Sequence, residues 1–198
     1  MGFIGFYNYT VVLTYISLVS SLIGMLMAVQ GRFAIAIGLL LLSGVCDMFD
    51  GIVARSKKNR TEDEKNFGIQ LDSLCDVVCF GVFPAVFLYC AGVNSIPGIC
   101  ILVFYVLCGL IRLAFFNVLE TKRQMQEDGC AKFYRGLPIT TAAIIFPLVF
   151  CISLICPENI MKVVYYIVPV LTGFLFIWDF RLPKIDYVKM VKKLFKKI

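Results

Sequence analysis

Apolar runs close to 20 residues long recur six times along this chain, and that is the length an α-helix needs to cross the hydrocarbon core of a bilayer. They fall at 11–29, 33–54, 68–90, 99–119, 139–155 and 163–178. In lipid every backbone polar group must be satisfied inside the span, so runs of this kind fold as helices. Composition agrees: 60% of the 198 residues are hydrophobic, against about 45–50% in a soluble domain. The expected fold is all-α, a polytopic membrane protein with six transmembrane helices forming one domain over residues 1–180. No basic n-region or small-residue cleavage site marks the first run, so it reads as a transmembrane helix and not as a cleaved leader. Residues 181–198 form a basic tail. In it Ile185, Val188, Val191, Leu194 and Phe195 fall near one face, which predicts a short amphipathic helix on the membrane surface.

Charge sets the orientation. Arg55, Lys57, Lys58, Arg60 and Lys65 follow the second run, and Lys122, Arg123, Lys132 and Arg135 follow the fourth. The tail is richer still, while the opposite side holds only Arg32 and Lys162. Basic connecting segments stay in the cytoplasm, so both termini are expected there. A juxtamembrane basic segment meets anionic lipid, and nucleic acid is not an expected partner.

Most of the 9 cysteines lie inside apolar runs and read as small packing residues in a reduced chain. The chain has 0 histidines. That excludes histidine-based zinc sites and catalytic triads, and leaves Asp, Glu, Lys, Tyr or Cys as a general base.

Against this background four aspartates stand out: Asp47 and Asp50 near the end of the second run, Asp72 and Asp76 near the start of the third. A carboxylate in hydrocarbon costs about 2.5–3.5 kcal/mol even on a lenient insertion scale. Spacings of three and four put each pair on one helix face. With a short polar connection, 56–67, read as a loop, the two helices are expected to be antiparallel neighbours sharing cations at the cytoplasmic face. All-oxygen ligands point to Mg²⁺ or Mn²⁺, with Ca²⁺ as a further option, and to two ions. Asp47, Gly51 and Ala54 form one stripe, and Gly68, Asp72 and Asp76 another. Small residues beside metal-binding carboxylates leave room for a flat, bulky group. Arg55 adds charge suited to a diphosphate. The pattern reads as diphosphate recognition at a membrane surface.

The segment Asp47-Met-Phe-Asp50-Gly51-Ile-Val-Ala54-Arg55, followed by Gly68-Ile-Gln-Leu-Asp72-Ser-Leu-Cys-Asp76, resembles the signature of the CDP-alcohol phosphotransferases at every signature position. One departure is the connection from Arg55 to Gly68, about four residues longer than the common pattern. The stretches 71–85, 112–117 and 136–138 resemble the branch of that family that makes phosphatidylserine, although Phe115 stands where a second arginine is common.

The resemblance implies transfer of a phosphatidyl group from CDP-diacylglycerol to L-serine with release of CMP, by a homodimer in the membrane. It implies Asp47, Asp50, Asp72 and Asp76 as metal ligands, with Asp76 also the general base. Asp47, Gly51, Ala54, Arg55, Gly68 and Asp72 would contact the CDP group. Arg112 is the one basic residue inside an apolar run. It would either clamp the serine carboxylate or pair with an aspartate or snorkel. Asn117 and Arg135 are further acceptor candidates, the latter otherwise a solvated loop charge. Glycerol phosphate or inositol phosphate as acceptor remains an alternative. So does a divalent-cation transporter, although that would not require Gly51, Ala54 or Arg55. A membrane prenyltransferase would carry its aspartate motifs on distant repeats and not on consecutive helices.

Overall fold

The structure, a computed structural model, describes residues 5–57, 60–125 and 133–183. The expected amphipathic helix at 185–198 lies outside the described residues. Helix α1 (Val12–Val29) follows a 3-10 turn at Tyr9–Val11, and α2 (Phe33–Ser56) runs back alongside it. Helix α3 (Glu62–Asp76) passes without a break through a π-helical segment (Val77–Val82) into α4 (Phe83–Cys90). Helix α5 (Ile96–Met125) returns, and α6 (Ala142–Ser153) and α7 (Glu158–Ile177) complete the bundle. Among the described residues, five helical stretches are long and apolar enough to cross a membrane, Tyr9–Val29, Phe33–Ala54, Glu62–Cys90, Ile96–Leu119 and Glu158–Ile177, and a shorter apolar helix spans Ile139–Ser153. This is an integral membrane protein. Leu22, Leu41, Leu107, Leu148 and Leu171 point outward, as lipid-facing side chains do. Phe80, Phe83, Phe87, Leu88, Tyr105 and Phe146 are fully buried at the centre.

Three features differ from the sequence expectation. The stretch 56–67 is not a loop. Ser56 ends α2, only 57–61 link the helices, and α3 starts at Glu62, six residues before the expected span. Thr61 explains the early start. Its side chain accepts from the Glu64 amide while the Glu64 carboxylate accepts from the Thr61 amide, a reciprocal cap that satisfies two orphan donors. Glu62, Asp63 and Glu64 then favour the positive end of the helix dipole.

The expected fifth span is shorter, because Pro138 sets a 3-10 entry and Pro157 caps the next helix after the turn that follows Ser153. A short antiparallel ribbon also joins β1 (Phe133–Arg135) to β2 (Arg181–Pro183), with Arg135 opposite Arg181. Next to it Gly136, at φ 69°, takes a conformation that side chains disfavour, and its amide donates to the Phe180 carbonyl at 2.8 Å. The ribbon fastens the entry of α6 to the end of α7.

The π segment has a local cause. Pro84 has no amide hydrogen to give the carbonyl of Phe80 four residues earlier, so an α-turn cannot close there. The ladder widens, with the Phe83 amide bonding to the Val78 carbonyl. The freed Phe80 carbonyl accepts from the Tyr105 hydroxyl of α5 at 2.5 Å. Tyr105 itself packs edge-on against Phe146, ring centroids 5.6 Å apart.

Candidate metal and substrate site

Polar side chains on α1 hold the helices that carry the aspartates. Ser17 and Ser43 share a hydroxyl hydrogen bond of 2.7 Å, Ser21 donates to the Ser43 hydroxyl at 2.9 Å, and Ser17 reaches Cys79 in the π segment at 3.6 Å. Such interhelical hydrogen bonds act as glue where lipid supplies no hydrophobic driving force. Gly44 permits close packing from the other side: a Cβ there would collide with Ala143 of α6. The end of the hairpin is tied by Lys57, whose ammonium lies 3.2 Å from Glu64 and 3.1 Å from the Asn8 side-chain oxygen.

Within this frame, single carboxylate oxygens of Asp47, Asp50 and Asp72 lie within 4.8 Å of one another. Asp76 is not part of that group. It is buried, and its carboxyl faces Asp47 within hydrogen-bonding reach, as Asp50 faces Asp72. Two unit charges about 4 Å apart repel by about 4 kcal/mol at an effective dielectric of 20, so the four carboxylates together call for a cation. The spacing fits one. Oxygens on opposite sides of Mg²⁺ stand about 4.2 Å apart, and around Ca²⁺ about 5 Å. The donor set is all hard oxygen, which suits those ions and Mn²⁺.

One residue beside the cluster escaped the sequence reading. Thr14 of α1, buried, donates its hydroxyl to Asp50 at 3.3 Å. A signal for it exists: Thr10, Thr14, Ser17 and Ser21 mark a polar stripe at helical spacing in an otherwise apolar run. Arg60 is the other. A Cβ built on Gly68 would lie 2.6 Å from its Nη2, so the space beside Gly68 holds a guanidinium group in this state.

The acceptor candidates Arg112 and Asn117 lie on α5, which packs against the span that carries Asp72 and Asp76. Arg112 is 7% exposed, with its guanidinium carbon 4.6 Å from the centre of the Phe116 ring, within cation–π distance. It lines a cavity of about 220 Å³ with Ile111, Phe115, Phe116, Phe176, Ile177, Trp178 and Asp179. None of the four aspartates lines that cavity among the described residues. Asn117 turns elsewhere: its side-chain oxygen accepts from Ser73 at 2.9 Å. Two contacts fix the register of the antiparallel helices, Ser73 with Asn117 and Phe80 with Tyr105. Asp76 lies between them on one helix and Arg112 on the other. The side chains of Arg55 and Arg135 lie outside those described.

A profile of the CDP-alcohol phosphatidyltransferase family matches residues 7–178. The chain belongs to that family. Among relatives of this CDP-alcohol phosphatidyltransferase, a CDP-diacylglycerol–serine O-phosphatidyltransferase of Saccharomyces cerevisiae is 43% identical over 117 residues, 57% of this chain and 40% of the relative. An archaetidylserine synthase of Methanothermobacter thermautotrophicus is 39% identical, over 63% of this chain and 50% of its own. A CDP-diacylglycerol–serine O-phosphatidyltransferase of Methanocaldococcus jannaschii is 36% identical, over 84% and 74%. The first two relatives are thus matched over half of their length or less.

Proposed function

We propose that this protein transfers the phosphatidyl group of CDP-diacylglycerol to the hydroxyl of L-serine, forming phosphatidylserine and CMP. The observation that carries it is the convergence of Asp47, Asp50 and Asp72, with Asp76 against Asp47, on two consecutive helices at one end of a membrane bundle. The names of the relatives above support the donor and the acceptor.

Asp47, Asp50 and Asp72 hold the metal, two ions of Mg²⁺ or Mn²⁺, with Asp76 completing the set. A metal held there would supply charge to neutralise the diphosphate and the departing phosphate. Asp76 takes the proton from the serine hydroxyl as its oxygen bonds to the phosphorus bearing diacylglycerol. The bond from that phosphorus to the bridging oxygen breaks, and CMP leaves with the electron pair. Gly51 and Ala54 admit the nucleotide, and Arg55 adds charge beside it. Arg112 binds the serine carboxylate, with Asp179 across the cavity as a partner of the right sign for the ammonium. Its place between the same two interhelical contacts as Asp76 supports this assignment. Asn117 and Arg135 are secondary acceptor contacts.

The site faces the cytoplasm, where both termini lie. Residues 1–180 carry the chemistry as a homodimer. The test is incubation of purified protein with CDP-diacylglycerol and Mn²⁺ against serine, glycerol 3-phosphate and inositol phosphate, with CMP release as the readout. Release with serine is expected. Release only with another acceptor overturns the serine assignment, and metal uptake into proteoliposomes without CMP release overturns the transferase reading.

A further inference from the structure

The link between α2 and α3 delivers a cation to this site that the mechanism above does not use. Arg60 is half-buried. Its Nη1 donates to the Ala54 carbonyl at 3.4 Å and its Nη2 to the Glu64 carbonyl at 3.0 Å, while its Nε is buried with no acceptor. Its hydrogen-bond partners among the described residues are backbone carbonyls, and no carboxylate is among them. The guanidinium rests directly on Gly68. Gly68 and Asp72 share a helix face one turn apart, a rise of about 6 Å.

We propose that Arg60 is a further donor-binding residue, whose guanidinium exchanges these carbonyls for a phosphate of the nucleotide diphosphate held at Asp72. The inference rests on the proposed function, since it takes that diphosphate as ligand. The chemistry favours the exchange. A phosphate oxygen carries the charge opposite to the guanidinium, which a neutral carbonyl does not, and a phosphate takes the guanidinium fork with two parallel bonds. The buried Nε–H, costly while unsatisfied, gains an acceptor in the same step. The arrangement also assigns a role to Gly68: any side chain there would push the guanidinium off the metal stripe. Arg60 lies within the connection that is longer than the common pattern.

The experiment compares wild type, Arg60→Gln and Arg60→Lys in detergent micelles. CDP-diacylglycerol and serine are varied in turn, and the rise in Tm on adding CDP with Mn²⁺ is recorded separately. Arg60→Gln is expected to raise the donor KM by about 10-fold or more, to leave the serine KM within about 2-fold, and to shrink the CDP-induced rise in Tm; Arg60→Lys, charged but without the fork, falls between. A donor KM and CDP-induced shift equal to wild type in Arg60→Gln would overturn the proposal. A change in the ligand-free Tm alone would overturn it too, because Arg60 would then serve only as a cap on α2. Where Arg60→Gln does not fold, Arg60→Lys decides: a weaker CDP-induced shift supports the proposal and an unchanged one overturns it. A wild type that binds CDP through Arg60 but releases no CMP with serine rejects the serine reading and keeps this one.

Discussion

The hairpin of α2 and α3 gathers its four carboxylates from residues 47 to 76, whereas the cavity beside Arg112 takes its walls from residue 111 of α5 to residue 179 beyond α7. The first is polar, cross-braced by serine hydroxyls and built from spacings of three and four along a helix. The second is aromatic, with a single buried guanidinium, and no local spacing connects its two halves. On the proposed function the difference separates tasks as well as chemistry. A diphosphate with its metal needs several fixed oxygens, which neighbouring turns supply together. A small zwitterion needs one cation, one anion and a wall, which distant helices bring together only when the bundle closes.

The sharpest way to break this division is to strip charge from the hairpin. Asp47→Asn or Asp72→Asn is expected to lower CMP release by about 100-fold or more and to abolish CDP-induced thermal stabilisation, as EDTA does to the wild type. Asp76→Asn should lose turnover to a similar extent while still binding the CDP-lipid, because a base acts only in the chemical step. Equal loss of binding in all three variants would merge the roles of Asp76 and the other carboxylates.

The opposite side is tested by Arg112→Ala. Loss of a charge-assisted contact costs roughly 1.5–3 kcal/mol, which corresponds to a fall of about 10- to 150-fold in kcat/KM for serine. Donor affinity should stay near wild type. A parallel loss of donor affinity would show that the two regions act as one.

Thr14→Val refines the hairpin further. Removing the hydroxyl that orients Asp50 should raise the Mn²⁺ concentration for half-maximal activity by about 10-fold, with little change in the serine KM. Titrating Mn²⁺ at saturating substrates reads this directly. The smallest effect expected is that of Tyr105→Phe. It leaves the buried Phe80 carbonyl without its donor and should cost about 1–3 kcal/mol of stability, seen as a lower Tm with the metal requirement unchanged.

The same contrast explains what could be read from the chain alone. Asp47, Asp50, Asp72 and Asp76 were legible because helical periodicity converts short spacing into a shared face. The membrane helices were legible from their apolar length, although Ile139–Ser153 is cut short by flanking prolines. The first turns of α3 are charged and so leave no apolar run to mark them, while Thr61 and Glu64 carry the capping pattern openly. The π segment was also within reach, since Pro84 marks the orphaned carbonyl. Arg60 had no comparable signal: where a loop arginine folds back depends on the glycine it meets eight residues later. The β1–β2 ribbon and the Arg112 cavity depend on contacts between segments far apart in sequence, which no periodicity encodes.

The widened turn at Val77–Val82 has a consequence for how this chain can vary. One residue is about 100° of helix rotation, so the extra residue of a π turn resets the angular phase between the helix on its N-terminal side and the helix on its C-terminal side. Upstream, Asp72 and Asp76 keep the heading set by α3; downstream, Phe83 and Phe87 take another, towards the centre of the bundle. The turn works as a clutch between the two halves of a single span. Substitutions that repack the outer half can accumulate without re-aiming the carboxylates, and deletion of one residue from 77–82 would return the span to a continuous α-helix in which both halves keep their headings.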